Sequence, residues 1–169
     1  DTQPLISGPF AYAIAYNGNL SAVDIRSGNV VWKREYSSYR EIAMDLQTIY
    51  VVDSNGVVYA LDKDSGIERW SQPALRGWYL TGPAVAGNYL ALGDQEGNLH
   101  WLNKDTGELV SREDFDSSGF FVEPVVADDK LILKCHFFYL FFFFSSFPIF
   151  LILLFRFLIF FFQFFFDLE

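Results

Sequence analysis

The feature that most constrains this chain is a unit that returns. It is clearest at residues 49–70, IYVVDSNGVVYALDKDSGIERW: two apolar strands around Asn55-Gly56, a Ser65-Gly66 turn, and a third strand reaching Trp70. The same two turns occur at residues 12–32, YAIAYNGNLSAVDIRSGNVVW, and again at residues 90–111, LALGDQEGNLHWLNKDTGELVS. The hairpin glycines Gly18, Gly56 and Gly97 lie about 40 residues apart, and the turn glycines Gly28, Gly66 and Gly107 repeat the intervals. Two markers that drift together indicate duplication. A period near ~40 with four short strands per unit is the pattern of a β-propeller blade.

The expected fold is therefore all-β: a β-propeller of four-stranded antiparallel blades, present as about three to four blades over residues 1–134. Repeats are placed at about 1–36, 37–75, 76–115 and an incomplete 116–134. Residues 41–46, 78–85 and 121–127 are read as inner strands, followed by a further strand over residues 130–134. Asn-Gly between runs of Val, Ile and Tyr predicts a two-residue hairpin with positive φ at both central residues. So few blades do not close a ring, so the chain is expected to be part of a larger propeller.

Each corner has a polar residue four places before its glycine: Asp24 before Gly28, Asp62 before Gly66 and Asn103 before Gly107. A short polar side chain there bonds backbone amides across the turn. Trp32 and Trp70 follow four places after the glycine, where a large ring covers the next blade's backbone. The third repeat has Ser111 at that place, which predicts a differently built joint.

Charge and cysteine content exclude several functions. A net charge of −9 argues against nucleic-acid binding, which draws affinity from Lys and Arg on phosphates. Cys135 is the single cysteine, so no intrachain disulfide forms and the redox compartment is not legible. Residues 62–66, Asp-Lys-Asp-Ser-Gly, resemble a calcium loop, but the glycine comes one place early and Pro73 stands where a bidentate Glu is needed. His100 has no second His or Cys nearby and is read as an ordinary strand residue. Residues 116–119, Asp-Ser-Ser-Gly, offer a serine without a histidine partner and are read as an inter-blade loop. Tyr36, Tyr39, Arg40, Trp78 and Tyr79 fall at predicted strand ends, where they either face a partner or pack between blades.

The repeat A-x-D-x-x-[ST]-G-x-x-x-W, at Ala22 to Trp32 and Ala60 to Trp70, resembles that of PQQ-type propellers. More specifically, YNGNLSAVDIRSGNVVWKRE, EGNLHWLNKDTG and DSSGFFVEPVVADDKLIL resemble the C-terminal part of the BamB family, lipoproteins of the outer-membrane β-barrel assembly machinery. That resemblance implies an eight-bladed propeller tethered by an N-terminal lipid at the periplasmic face of the outer membrane. It also implies no catalysis and no cofactor. The partners implied are the periplasmic domains of BamA, other assembly subunits and unfolded outer-membrane proteins. In the family a D-x-D-T-x-P segment contributes to the BamA contact. Asp1-Thr2-x-Pro4 matches its second half, so Asp1 is the contact residue carried over. PQQ-dependent alcohol dehydrogenases share the corner motif, and a fragment of one is the enzymatic alternative. Their vicinal cysteine pair cannot come from Cys135 alone.

Beyond Lys134 the character changes. Residues 135–169 hold most of the 20 phenylalanines, in a low-complexity tail. Residues 149–166 are long enough for a membrane span, interrupted by Arg156 and Gln163, which would make the chain a propeller ectodomain with a C-terminal anchor. A poly-Phe tract is also what T-rich DNA yields in a shifted frame, and the composition favours that reading.

Overall fold

In a computed structural model, residues 2–16, 18–115, 117–128, 130–134 and 139–143 are described, and every regular element among them is a strand. The first sheet holds β1 (Leu5–Ser7), β2 (Phe10–Ala13), β3 (Leu20–Asp24) and β4 (Val30–Arg34). The second holds β5 (Ala43–Met44), β6 (Thr48–Val52), β7 (Val58–Asp62) and β8 (Glu68–Gln72). The third holds β9 (Ala84–Ala86), β10 (Tyr89–Gly93), β11 (Asn98–Asn103) and β12 (Leu109–Asp114). A fourth is formed by β13 (Val125–Ala127), β14 (Lys130–Lys134) and β15 (Tyr139–Phe143). Each sheet is an antiparallel meander in chain order, with the shortest strand first. β9 touches both β5 and β13, so the short first strands meet from blade to blade. These are propeller blades.

The core lies between blades. On β6 alternate residues serve opposite neighbours: Ile49 and Val51 pack with Leu20 and Trp32 of the first blade, while Tyr50 and Val52 pack with Leu90 and Leu102 of the third. A strand covered on both faces needs no polar alternation, and β6 is buried along its whole length. A third cluster joins Ala91 and Leu99 to Phe120, Leu131 and Leu133 of the fourth blade. Each fully buried Leu contributes about 1.5–3 kcal/mol. The last strands alternate instead: β12 shows a regular exposed and half-buried pattern, as suits an outer edge.

The structure differs from the sequence reading at three places. The Asn55-Gly56 hairpin is not a two-residue turn. Only Gly56 takes a positive φ (83°), its amide donates to the Asp53 carbonyl at 3.0 Å, and the Asp53 amide donates to the Val57 carbonyl at 2.9 Å. This is a type I turn closed by a left-handed glycine, and Gly97 repeats it with φ 89°. The reason is the aspartate three places earlier. The Asp53 carboxylate accepts the amides of Asn55 and Val57 at 2.9 and 2.8 Å, which stabilises the longer turn.

Second, the inner strands are only two or three residues long. Much of the segments read as strand forms connections between blades. In the second connection Gly77 and Tyr79 take positive φ (81° and 52°), which strand geometry does not allow.

Third, β15 lies inside the Phe-rich segment that sequence set apart from the blades. Its backbone pairs with β14 from Lys130↔Phe143 to Lys134↔Tyr139. Phe and Tyr favour strands, and β14 offers an open edge. The membrane-span reading of residues 149–166 lies outside the described residues.

Candidate partner-binding surface

The up-and-down order of each blade divides its loops between two ends. One end carries the turns after β1, β3, β5, β7, β9 and β11. The other carries the remaining hairpins and the long connections between blades.

The recurring motif belongs to the first end, and its side chains are spent on architecture. The Asp24 carboxylate accepts the Ser27 amide at 2.7 Å and hydroxyl at 2.9 Å, which holds its carboxyl below the usual range. Asp62 accepts the Ser65 amide and hydroxyl at 3.0 and 2.8 Å, and Arg69 at 2.7 Å. Arg69 and these hydrogen bonds bring the Asp62 pKa down to about 2. Asn103 accepts the amides of Asp105 and Thr106 at 2.9 and 3.1 Å.

The tryptophans reach across to the next blade. Trp32 Nε1 donates to the Lys63 carbonyl and Trp70 Nε1 to the Lys104 carbonyl, both at 3.0 Å. Each ring lies flat over the next corner glycine. A Cβ on Gly66 would meet the Trp32 ring at 2.7 Å, and one on Gly107 would meet the Trp70 ring at 2.5 Å. Two residues further along the strand, Arg34 and Gln72 donate to the carbonyls of Gly66 and Gly107 at 3.0 and 2.8 Å. Ring and donor together clamp the neighbouring turn.

The second end carries the surface that none of this packing uses. Asp1 lies outside the described residues, but the Thr2 hydroxyl donates to the Ile14 carbonyl at 2.6 Å, which puts residues 2–4 at this end. The five aromatic and arginine residues singled out in the sequence divide. Tyr36 packs against Tyr59 with ring centroids 4.8 Å apart and donates to Glu68 at 3.2 Å; burial and Glu68 push its hydroxyl up to about 12. Trp78 is wedged between His100, edge-on at 5.6 Å, and the Arg112 guanidinium at 5.0 Å. These two residues are inter-blade packing.

Tyr39, Arg40 and Tyr79 instead rim an open cleft of about 460 Å³, floored by the Asp53 to Gly56 hairpin and flanked by Arg76. Two connections lean on that hairpin to form it. Ser54 donates its amide to the Ser37 carbonyl at 2.9 Å, and Ser38 donates its hydroxyl to the Val52 carbonyl at 2.6 Å. On the other side Gly77 donates its amide to the Asn55 carbonyl at 3.2 Å. The approach is close enough that a Cβ on Gly56 would sit 3.0 Å from the Leu75 carbonyl oxygen. Arg40 stacks on Tyr39 at 4.6 Å, and its Nε is buried without a hydrogen-bond partner among the described residues. Tyr79 is 63% exposed, yet its backbone is held at φ 52°, a conformation costing about 1–3 kcal/mol.

Sequence reasoning missed one buried pair. His100 lies on β11, as read from sequence, but is fully buried, with Nε2 2.7 Å from Asp94 Oδ2. Burial pulls the imidazole below its usual pKa; the Asp94 contact pulls the other way without overcoming it. The ring is then neutral, with Nε2–H donating and Nδ1 without a hydrogen-bond partner among the described residues. The signal was available. Asp94 and His100 are six apart across the hairpin, as are Asp53 and Tyr59, a pair whose carboxylate and hydroxyl also interact.

Comparison with known proteins points to one family. A family model described as outer membrane protein assembly factor BamB matches residues 1–72 and 54–135. BamB of Yersinia pestis is 46% identical over 134 residues, covering 79% of this chain and 34% of that protein. BamB of Escherichia coli K12 is 45% identical over the same length and shares. The chain spans about a third of the length of the curated relatives it matches. The crystal structure of BamB from Moraxella catarrhalis superposes with a TM-score of 0.74 at 26% identity, covering 80% of this chain and 40% of that one. Quinohemoprotein alcohol dehydrogenase from Comamonas testosteroni superposes with a TM-score of 0.57 at 23% identity, a likeness of fold alone. The family match covers every strand from β1 to β14, and the chain belongs to the BamB family of outer membrane protein assembly factors.

Proposed function

We propose that the chain serves as a non-enzymatic structural subunit in assembling β-barrel proteins into the outer membrane, working at its periplasmic face. Its partner is taken to be the periplasmic domains of BamA, with other assembly subunits and unfolded barrel proteins alongside. The observation that carries the reading is family membership at 46% identity to a protein named as an assembly factor. A second support is the division of the molecule. The corner residues are consumed in holding blades together, whereas the opposite end presents exposed aromatic and arginine side chains of the kind enriched in interfaces.

Asp1 is proposed as a direct contact, since it stands in the family's docking segment and residues 2–4 lie at the loop-bearing end. The test is biolayer interferometry of the full chain against BamA's periplasmic domains. Saturable binding that weakens roughly tenfold with Asp1→Ala, as loss of one charge-assisted contact would give, supports the proposal. Absence of binding, with the chain folded, removes it.

A further inference from the structure

The cleft at the loop-bearing end has chemistry that neither blade packing nor the Asp1 contact employs. Arg40 and Arg76 make no ion pair among the described residues, while Arg69 is paired with Asp62 and Arg34 donates to the carbonyls of Gly66 and Ser65. Among the described residues Asp53 is the one carboxylate lining the cleft, and its oxygens already accept hydrogen bonds. Oδ1 accepts the amides of Asn55 and Val57, and Oδ2 accepts Asn55 Nδ2 at 3.3 Å. An acidic protein therefore keeps two guanidiniums outside any ion pair among the described residues beside one opening, with a single carboxylate between them. Arg40 is pre-positioned on Tyr39, and an aromatic side chain is held at a strained backbone angle on the facing rim. Strain of that kind, observed first, is a reason to look for a ligand.

The shape and donors narrow the ligand. A volume of about 460 Å³ accommodates a few residues of extended chain, not the surface of a folded domain. Planar guanidinium forks match carboxylates in two-bond geometry. Exposed phenol rings on either rim match aromatic or apolar neighbours of that carboxylate.

We infer that this cleft binds an extended acidic peptide segment of a partner protein, its carboxylate on Arg40 and Arg76 and its flanking aromatic side chains against Tyr39 and Tyr79. The inference deepens the proposed assembly role and rests on it only in taking the partner to be a protein.

The test uses the full chain, immobilised, and an end-blocked hexapeptide of alternating Phe and Glu, with the Phe/Gln peptide as its neutral counterpart. The Glu peptide should bind, and the Gln peptide should bind roughly tenfold or more weakly, as expected for lost charge-assisted hydrogen bonds. Arg40→Gln combined with Arg76→Gln should abolish the difference between the peptides while leaving the thermal melt in place. Arg76 is exposed, so Arg76→Gln alone serves if the double variant loses its fold, with a smaller loss expected. Equal binding of both peptides, or binding indifferent to these substitutions, overturns the inference. Displacement of the Glu peptide by inorganic phosphate at millimolar concentration also overturns it, since that marks a small-anion site. Peptide binding that fails while BamA's domains still bind strikes down the cleft alone; the reverse outcome leaves the cleft and removes the proposed partner.

Discussion

Across the second sheet the row of side chains facing the next blade runs Ala43, Tyr50, Ala60, Trp70; across the third the matching row runs Ala84, Ala91, Trp101, Ser111. The first sheet follows the second, with Leu5, Tyr12, Ala22 and Trp32. The third sheet has one large ring in this row, Trp101 on its third strand, where the second has two, Tyr50 on its second strand and Trp70 at its outer edge. The third row is one aromatic ring poorer than the second, and the buried Phe120 packs at the joint it faces. The consequence is mechanical. Trp70 at the edge reaches Lys104 and Gly107 of the next blade, whereas Trp101, one strand further in, leans on Tyr89 with ring centroids 6.4 Å apart and packs against the cluster shared with the fourth blade. Ser111 and Glu113 stand where Trp70 and Gln72 stand. The joint between the second and third blades is clamped at its periphery; the joint between the third and fourth rests on the Phe120, Leu131 and Leu133 cluster.

The sharpest way to break this contrast is to remove the rings. Trp70→Ala and Trp32→Ala should each destabilise by about 3–5 kcal/mol in urea unfolding, since both lose a large packed ring. Ser111→Ala should change stability by less than ~0.5 kcal/mol. Similar losses at Trp70 and Ser111 would dissolve the contrast. Next come the glycines beneath the rings. Gly66→Ala and Gly107→Ala meet both a positive φ and a tryptophan face, and should cost about 2–4 kcal/mol. Gly28→Ala has open space around it and should cost only the ~1 kcal/mol of its backbone conformation.

Smaller effects distinguish the blades by pH. His100 is held below its ordinary pKa by burial, so the unfolded chain binds the proton more readily. Stability is then full above about pH 6.5 and declines as pH falls below that value. The urea midpoint should drop between pH 7.5 and 5.5, and His100→Gln should flatten that slope. Tyr59, which takes the place of His100 in the second blade, has its hydroxyl pushed up by burial and by Asp53, away from this range. The smallest effect belongs to the corners. Asp62 is depressed to about 2, so its contribution is present above the unfolded carboxylate value near 3.8 and is lost as pH falls through about 2. It is partly solvated, which keeps that contribution small. Asp62→Asn, which copies Asn103 of the third blade, should remove the acid dependence. An unchanged acid limb would show that Arg69 and Ser65 contribute nothing there.

The sequence made the blades legible because their turns recur at fixed intervals, and the corner residues legible because Asp24, Asp62 and Asn103 keep one distance from their glycines. It did not reveal the displaced ring of the third blade, since Ala91, Trp101 and Ser111 become a row only when strand register is known. The hairpin type was misread because Asn55-Gly56 is a strong two-residue signal, and the competing signal from Asp53 was given no weight. The cleft was half visible. Tyr39, Arg40 and Tyr79 stood out as aromatic and basic strand ends, but Arg76, in the same connection as Tyr79, carried no signal of its own, and the hairpin floor joins them only in the fold. Nothing in the residues around Tyr79 announces a positive φ. Trp78 looks equally surface-like in sequence and is placed between His100 and Arg112 by contacts that only the fold creates.

The most direct test of the clamp between blades is a double-mutant cycle on Trp70→Ala and Gly107→Ala, read by urea unfolding of the full chain. If the ring lies on the glycine as described, an added Cβ at Gly107 harms the protein far less once the ring is gone, and the two losses fall short of additivity by about 1–3 kcal/mol. Additive losses would mean that Trp70 and Gly107 do not touch, and the account of how one blade holds the next would be wrong.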